Sequence, residues 1–148
     1  MNIVRVTKEF SFEMAHALDQ HDGKCQNIHG HSYKLSVTIR GNPVNDSFSP
    51  KNGMVIDFSD LKSIVNKEII EPLDHGLMLY EKSDLLNYFD GNSDQQIIIK
   101  PYNPTCENMV ADFAELLEAR LPKEVELHSL KLRETKTSYA EWYQDDNR

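Results

Sequence analysis

Two strands, two helices and two further strands, in that order, make an α+β domain the predicted class of this 148-residue chain. Three observations carry it. A period-two apolar alternation runs through residues 4–16 and returns over 29–39; two apolar stripes at helical spacing follow at 61–69 and 109–117; and alternation resumes after Pro122. Strands at both ends with helices between them imply an antiparallel four-stranded sheet with two helices on one face. At this length a single domain, 1–148, buries a core without disulfide staples.

In the first strand Val4, Val6, Lys8, Phe10, Phe12, Met14 and His16 alternate with Arg5, Thr7, Glu9, Ser11 and Glu13. In the second, His29, His31, Tyr33, Leu35, Val37 and Ile39 oppose Ser32, Lys34, Ser36, Thr38 and Arg40, until Gly41, Asn42 and Pro43 end it. Ser59 is the candidate N-cap of the first helix, whose stripe is Leu61, Ile64, Val65 and Ile69 and which Pro72 should stop. Thr105 caps the second, with Met109, Val110, Phe113, Leu116 and Leu117 on one side, ending before Pro122. The last strands cover 125–135 and 138–143. Apolar parity switches between Leu127 and Leu130, which predicts a bulge near His128. A four-stranded sheet leaves two open edges, so a homo-oligomer is expected, one that closes its sheets into a barrel.

The formal net charge of −8 argues against a nucleic-acid or anionic-membrane surface, either of which needs a basic patch. The N-terminal stretch lacks the apolar run of a signal peptide or membrane helix, and two cysteines far apart suggest a reducing compartment; a cytoplasmic location is expected.

His29 and His31 stand two apart and so share a strand face. His16 ends the matching stripe of the first strand, and antiparallel pairing brings that end beside the start of the second. Three imidazoles without a fourth protein ligand describe a catalytic zinc site with an open position. The HGH tripeptide alone reads more readily as a polar strand end; His16 and the nearby Cys25 favour metal, with iron(II) left open. Gly30, between the two ligands, allows close approach of backbone or substrate. Cys25 is a fourth ligand, a passive loop residue, or a thiolate favoured by the dication beside it.

Beyond these residues, FSFEMAH, C-x-x-x-H-G-H, PLDH, NPTCEN and LRET succeed one another from about Phe10 to the last strand. Together they resemble the 6-pyruvoyl-tetrahydropterin synthase family, with spacing most similar to its queuosine-pathway 6-carboxy-5,6,7,8-tetrahydropterin synthase branch. The resemblance implies a tunnelling fold (β-β-α-α-β-β) in which trimers close a barrel and two trimers stack into a hexamer. It also implies a small-molecule pterin substrate, 7,8-dihydroneopterin triphosphate, converted to 6-carboxytetrahydropterin with loss of acetaldehyde and triphosphate. By position, His16, His29 and His31 match the ligands of Zn2+, Cys25 the proton-abstracting thiol, Asp74 and His75 its acid/base partners, and Glu134 the carboxylate that anchors the pterin. Thr105 and Glu107 lie where the family builds part of the pterin pocket.

Each of these has a structural reading too. Asp74 and His75 come after a helix end, Thr105 and Glu107 suit a helix start, and Glu134 could be one more charged strand residue, although it shares parity with Leu130 and Leu132. Lys24, Lys34, Arg40, Lys131 and Arg133 are triphosphate candidates by sign and position alone. Residues 77–100 are longer than the branch pattern, with a short helix expected from Ser83 and a strand at 97–99. The alternatives to a carbon–carbon lyase are pyruvoyl formation without cleavage and a non-catalytic zinc- or pterin-binding module. The cysteine lies four positions before His29, whereas the pyruvoyl-forming branch carries a longer spacer.

Overall fold

Thirteen residues, Val4–His16, form β1, and β2 (His29–Gly41) pairs with it antiparallel along its whole length, Val4 opposite Gly41 and His16 opposite His29. The structure is a computed structural model that describes residues 2–89 and 94–148; residues 90–93 of the long segment after His75 lie outside the described residues. On the other side of β2 runs β5 (Glu126–Arg133), antiparallel, followed by β6 (Tyr139–Tyr143). The register of β2 with β5 slips where Thr38 faces Ser129 and Ile39 faces Leu127, which leaves His128 as the extra residue. The bulge sits where the parity switch put it.

The expected four-stranded antiparallel sheet is corrected to a mixed sheet of six, in the order β4-β3-β1-β2-β5-β6. β3 (Gly76–Tyr80) runs parallel to β1, Met14 opposite Gly76 and His16 opposite Met78, and β4 (Ile97–Lys100) runs parallel to β3. The reason β3 escapes a search for alternation is physical. Parallel strands covered on both faces read as short apolar runs, as Leu77, Met78 and Leu79 do, without a polar face to mark the period. β4 covers the strand expected at 97–99. The helix expected from Ser83 is a 3-10 turn, Asp84–Tyr88, whose cap is the Ser83 hydroxyl accepting from the Leu85 N–H.

The first helix is also corrected at both ends. α1 (Phe58–Val65) is capped by Asp57, whose Oδ1 accepts the Ser59 N–H at 2.8 Å, so Ser59 lies inside the first turn. Pro72 does not stop it. A π-type turn, Asn66–Ile70, leads into α2 (Glu71–Leu73), where Pro72 occupies a first-turn position that needs no N–H donor. α3 (Cys106–Glu118) starts at Thr105, as expected, its hydroxyl accepting from the Asn108 N–H.

Phe10, Phe12 and Met14 of β1, with Tyr33, Leu35, Val37 and Ile39 of β2, face Leu61, Val65 and Ile69 of the first helical stretch and Met109, Phe113 and Leu117 of α3. His16, His29 and His31 prolong this inward-facing row, so the core alternation itself delivers them to one end of the sheet beside the start of α3.

Candidate metal centre and ligand pocket

Nε2 of His16 lies 3.1 Å from Nε2 of His29, and one nitrogen from each of His16, His29 and His31 falls within 4.8 Å of the others. The tautomers of two rings are set by their other nitrogens. His16 Nδ1–H donates to the Pro104 carbonyl and His29 Nδ1–H to the Asn27 carbonyl, each at 2.7 Å. A carbonyl oxygen only accepts, so in the neutral rings both Nε2 atoms carry lone pairs, and these face one another. The Nε2 of His31 is buried and has no hydrogen-bond partner among the described residues.

A cation shared between the rings would satisfy two lone pairs held 3.1 Å apart. Burial disfavours a proton on His16, which is 1% exposed: desolvation, reinforced by the neighbouring imidazoles against the pull of the Pro104 hydrogen bond, lowers its pKa to about 4. His31 is lowered too, by burial first and then by His29, against the opposing charge of Glu134. Three neutral imidazoles, two of them oriented by backbone acceptors, form a donor set that fits a divalent transition metal.

Glu134 comes directly after β5, its N–H donating to Ser138 at the β5–β6 turn. Its carboxylate Oε1 stands 3.5 Å from His16 Nε2 and 3.4 Å from His31 Nε2, so the inward parity shared with Leu130 and Leu132 is what the structure has. A cavity of about 560 Å³ opens here between His31, Lys34, Arg133, Glu134 and Lys136. A second, of about 340 Å³, lies across Gly30 and His31 and is lined by Glu13, Ser32, His75 and Gly76. Both are within the size of small-molecule sites. Gly30 borders both, and a Cβ there would meet nothing closer than the Met14 carbonyl at 3.5 Å, so it keeps space open rather than relieving a clash.

Asp74 and His75 are pinned to β1 through a residue that sequence reasoning passed over, Glu13. The Glu13 N–H donates to Asp74 Oδ1 at 2.8 Å, the His75 N–H donates to the Glu13 carbonyl, and the Ser32 hydroxyl donates to the Glu13 carboxylate. Asp74 is held below the usual carboxylate range by that backbone N–H and by His75, whose Nδ1 lies 3.0 Å from Oδ2. His75 has a φ of 65°, the left-handed region rarely used by non-glycine residues, which turns its exposed ring toward the smaller cavity. Glu13 sits inside FSFEMAH, but its outward parity gave no hint of partners 61 positions away.

The remaining candidates are more scattered. Cys25 is exposed on a 3-10 turn, Lys24–Gln26, between β1 and β2, and is not among the three ligand residues that converge. Thr105 and Glu107 occupy cap and first-turn positions of α3; what reaches the centre from NPTCEN is the Pro104 carbonyl. Cys106 is buried, its thiol donating to the Leu132 carbonyl and pushed up to about 11 by burial and then by Glu134. Of the cations, Lys34 and Arg133 are cross-strand neighbours on the larger cavity. Arg40 is at the far end of the sheet, held by Glu126 and Asp145, and Lys131 lies 3.9 Å from the Tyr139 ring centre. No helix of the described residues is long and apolar enough to cross a membrane.

The chain is similar to known proteins over nearly its whole length. The family model of 6-pyruvoyl tetrahydropterin synthase matches residues 5–145. A 6-carboxy-5,6,7,8-tetrahydropterin synthase of Haemophilus influenzae is 41% identical over 140 residues, covering 93% of this chain and 97% of that protein. One from Synechocystis is 37% identical over 139 residues, 93% and 92% of the two chains. The solved 6-pyruvoyl tetrahydropterin synthase of Caenorhabditis elegans superposes with a TM-score of 0.66 at 25% identity, over 97% of this chain and 96% of that one.

Proposed function

The chain belongs to the 6-pyruvoyl tetrahydropterin synthase family, and from that premise we propose that it is a carbon–carbon lyase, converting 7,8-dihydroneopterin triphosphate and one water to 6-carboxy-5,6,7,8-tetrahydropterin, acetaldehyde and triphosphate. The observation that carries the reading is the convergence of the His16, His29 and His31 nitrogens with the Glu134 carboxylate 3.4–3.5 Å away, at the mouth of a cavity of small-molecule size. The relatives that bear the 6-carboxy name, and a cysteine four residues before His29, favour this product over the pyruvoyl one.

In this reading His16, His29 and His31 hold Zn2+, which when bound acts as a Lewis acid on the hydroxyls of the substrate side chain. Glu134 accepts two adjacent N–H donors of the pterin ring, a fork that a carboxylate matches and that fixes which end of the substrate meets the histidines. Cys25 takes a carbon-bound proton as its thiolate. His75 returns protons, with Asp74 orienting its Nδ1–H at 3.0 Å and Glu13 holding Asp74 in place. Thr105 and Glu107 border the pterin end, while Lys34, Arg133 and Lys136 supply positive charge for the triphosphate. The enzyme works in the cytoplasm, in the queuosine pathway, as a homotrimer or a hexamer of two trimers whose sheets close a barrel.

Replacing Cys25 by Ala tests the catalytic reading against a pterin-binding module. Loss of turnover on dihydroneopterin triphosphate with bound metal unchanged is expected; full turnover by the variant contradicts it.

A further inference from the structure

β1 and β3 are parallel neighbours, with His16 opposite Met78, so the chain leaves both strands in the same direction and at the same end of the sheet. From β1 it enters the loop that carries Cys25 and returns as β2. From β3 it enters the segment that carries Ser83 and leads to β4. The two are joined by one carboxylate. Asp19 Oδ2 accepts the Ser83 hydroxyl at 2.8 Å and the Asp84 N–H at 3.1 Å.

The junction is built from both sides. Ser83 is 6% exposed; its N–H donates to the Tyr80 carbonyl, and its hydroxyl also accepts the Leu85 N–H, so both its backbone N–H and its hydroxyl are used. Next to Asp19, the Leu18 N–H donates to the Cys25 carbonyl at 2.9 Å, and the His21 N–H donates back to the Leu18 carbonyl at 2.7 Å. A continuous line of contacts therefore runs from the end of β3 through Ser83, Asp19 and Leu18 to the backbone of Cys25. The Cys25 turn itself buries no residue and has no side-chain cap, so packing does not fix it.

We propose that Asp19 is a positioning residue: it clasps the segment after β3 and so holds the Cys25 loop in its working place. The Ser83–Asp84 turn thereby has a task, bracing from outside a loop that lacks a core of its own. The catalytic part of this inference rests on the proposed role of Cys25; the mechanical part does not.

The test uses the full-length, metal-loaded protein with Asp19→Ala and Ser83→Ala. Amide hydrogen exchange over 17–28 and the rate of Cys25 alkylation by iodoacetamide report the loop directly, since Cys106 is buried and hydrogen-bonded. Expected for Asp19→Ala are exchange in that loop faster by on the order of tenfold, altered alkylation, and kcat lower by on the order of tenfold. KM, bound metal and the exchange of β1, β2 and α3 should stay as they are, which separates loss of position from loss of fold. Ser83→Ala should move the same readouts in the same direction. Unchanged loop exchange and alkylation in both variants overturn the clasp, and faster exchange with unchanged kcat overturns the positioning role. If Cys25→Ala itself turns over normally, the role of Cys25 fails instead, whatever the loop does.

Discussion

Two backbone carbonyls, those of Pro104 and Asn27, decide which nitrogens of His16 and His29 face the centre. Because both Nδ1 atoms are spent on these acceptors, the Nε2 lone pairs are left for a cation, and His31 brings a third nitrogen with no hydrogen-bond partner among the described residues. Replacing His31 by Ala should lower metal affinity more than 100-fold, beyond the roughly 10–100-fold typical of removing an outer-shell partner, as measured by competition with a chelating dye. Acid should act in the same direction. In the chelated protein His16 titrates at about 4, below its ordinary 6.5, so the unfolded chain binds more protons between those values. The stabilisation is complete above about pH 6.5 and lost as pH falls toward 4, by up to roughly 3 kcal/mol, which urea unfolding of chelated protein across that range would read. At this scale strand parity made the three histidines legible. The acceptors that orient them were not, since a backbone carbonyl leaves no mark in a sequence and Pro104 lies 88 positions from His16.

Each element was legible to the degree that it is amphipathic. β1 and β2 alternate over their full length and α3 has both a cap and a stripe, so their bounds could be read closely. Parallel β3 has no polar face and stayed hidden, although it brings His75 beside β1. Its entry depends on Gly76, where a Cβ would lie 2.4 Å from Ile98 Cδ1 and 3.1 Å from the Leu73 carbonyl. Gly76→Ala should therefore push β4 outward or displace the Asp74–His75 turn, costing about 1–3 kcal/mol in chemical denaturation, with proton transfer impaired while metal binding persists. The first helical stretch shows the converse error. Pro72 reads as a stop in isolation, but the π-type turn before it resets the hydrogen bonding, so that it falls in a first turn again.

Across the whole molecule, one row of inward-facing residues changes from core to chemistry without changing parity. Phe12, Met14, Tyr33 and Leu35 pack against the helices, and His16, His29 and His31 continue the same faces beyond them. A centre anchored in this way inherits the rigidity of the sheet, while the exposed His75 comes from a turn held by Glu13 and the exposed Cys25 from a turn tied to Leu18, next to Asp19. That division is why the order of motifs pointed to the family while the sheet's true width did not emerge from alternation alone. The central claim is the reaction, and product identity tests it most directly. Metal-loaded protein incubated with dihydroneopterin triphosphate should yield 6-carboxytetrahydropterin and acetaldehyde in equal amounts, with triphosphate, by chromatography and mass spectrometry. Accumulation of the pyruvoyl product without acetaldehyde would contradict it.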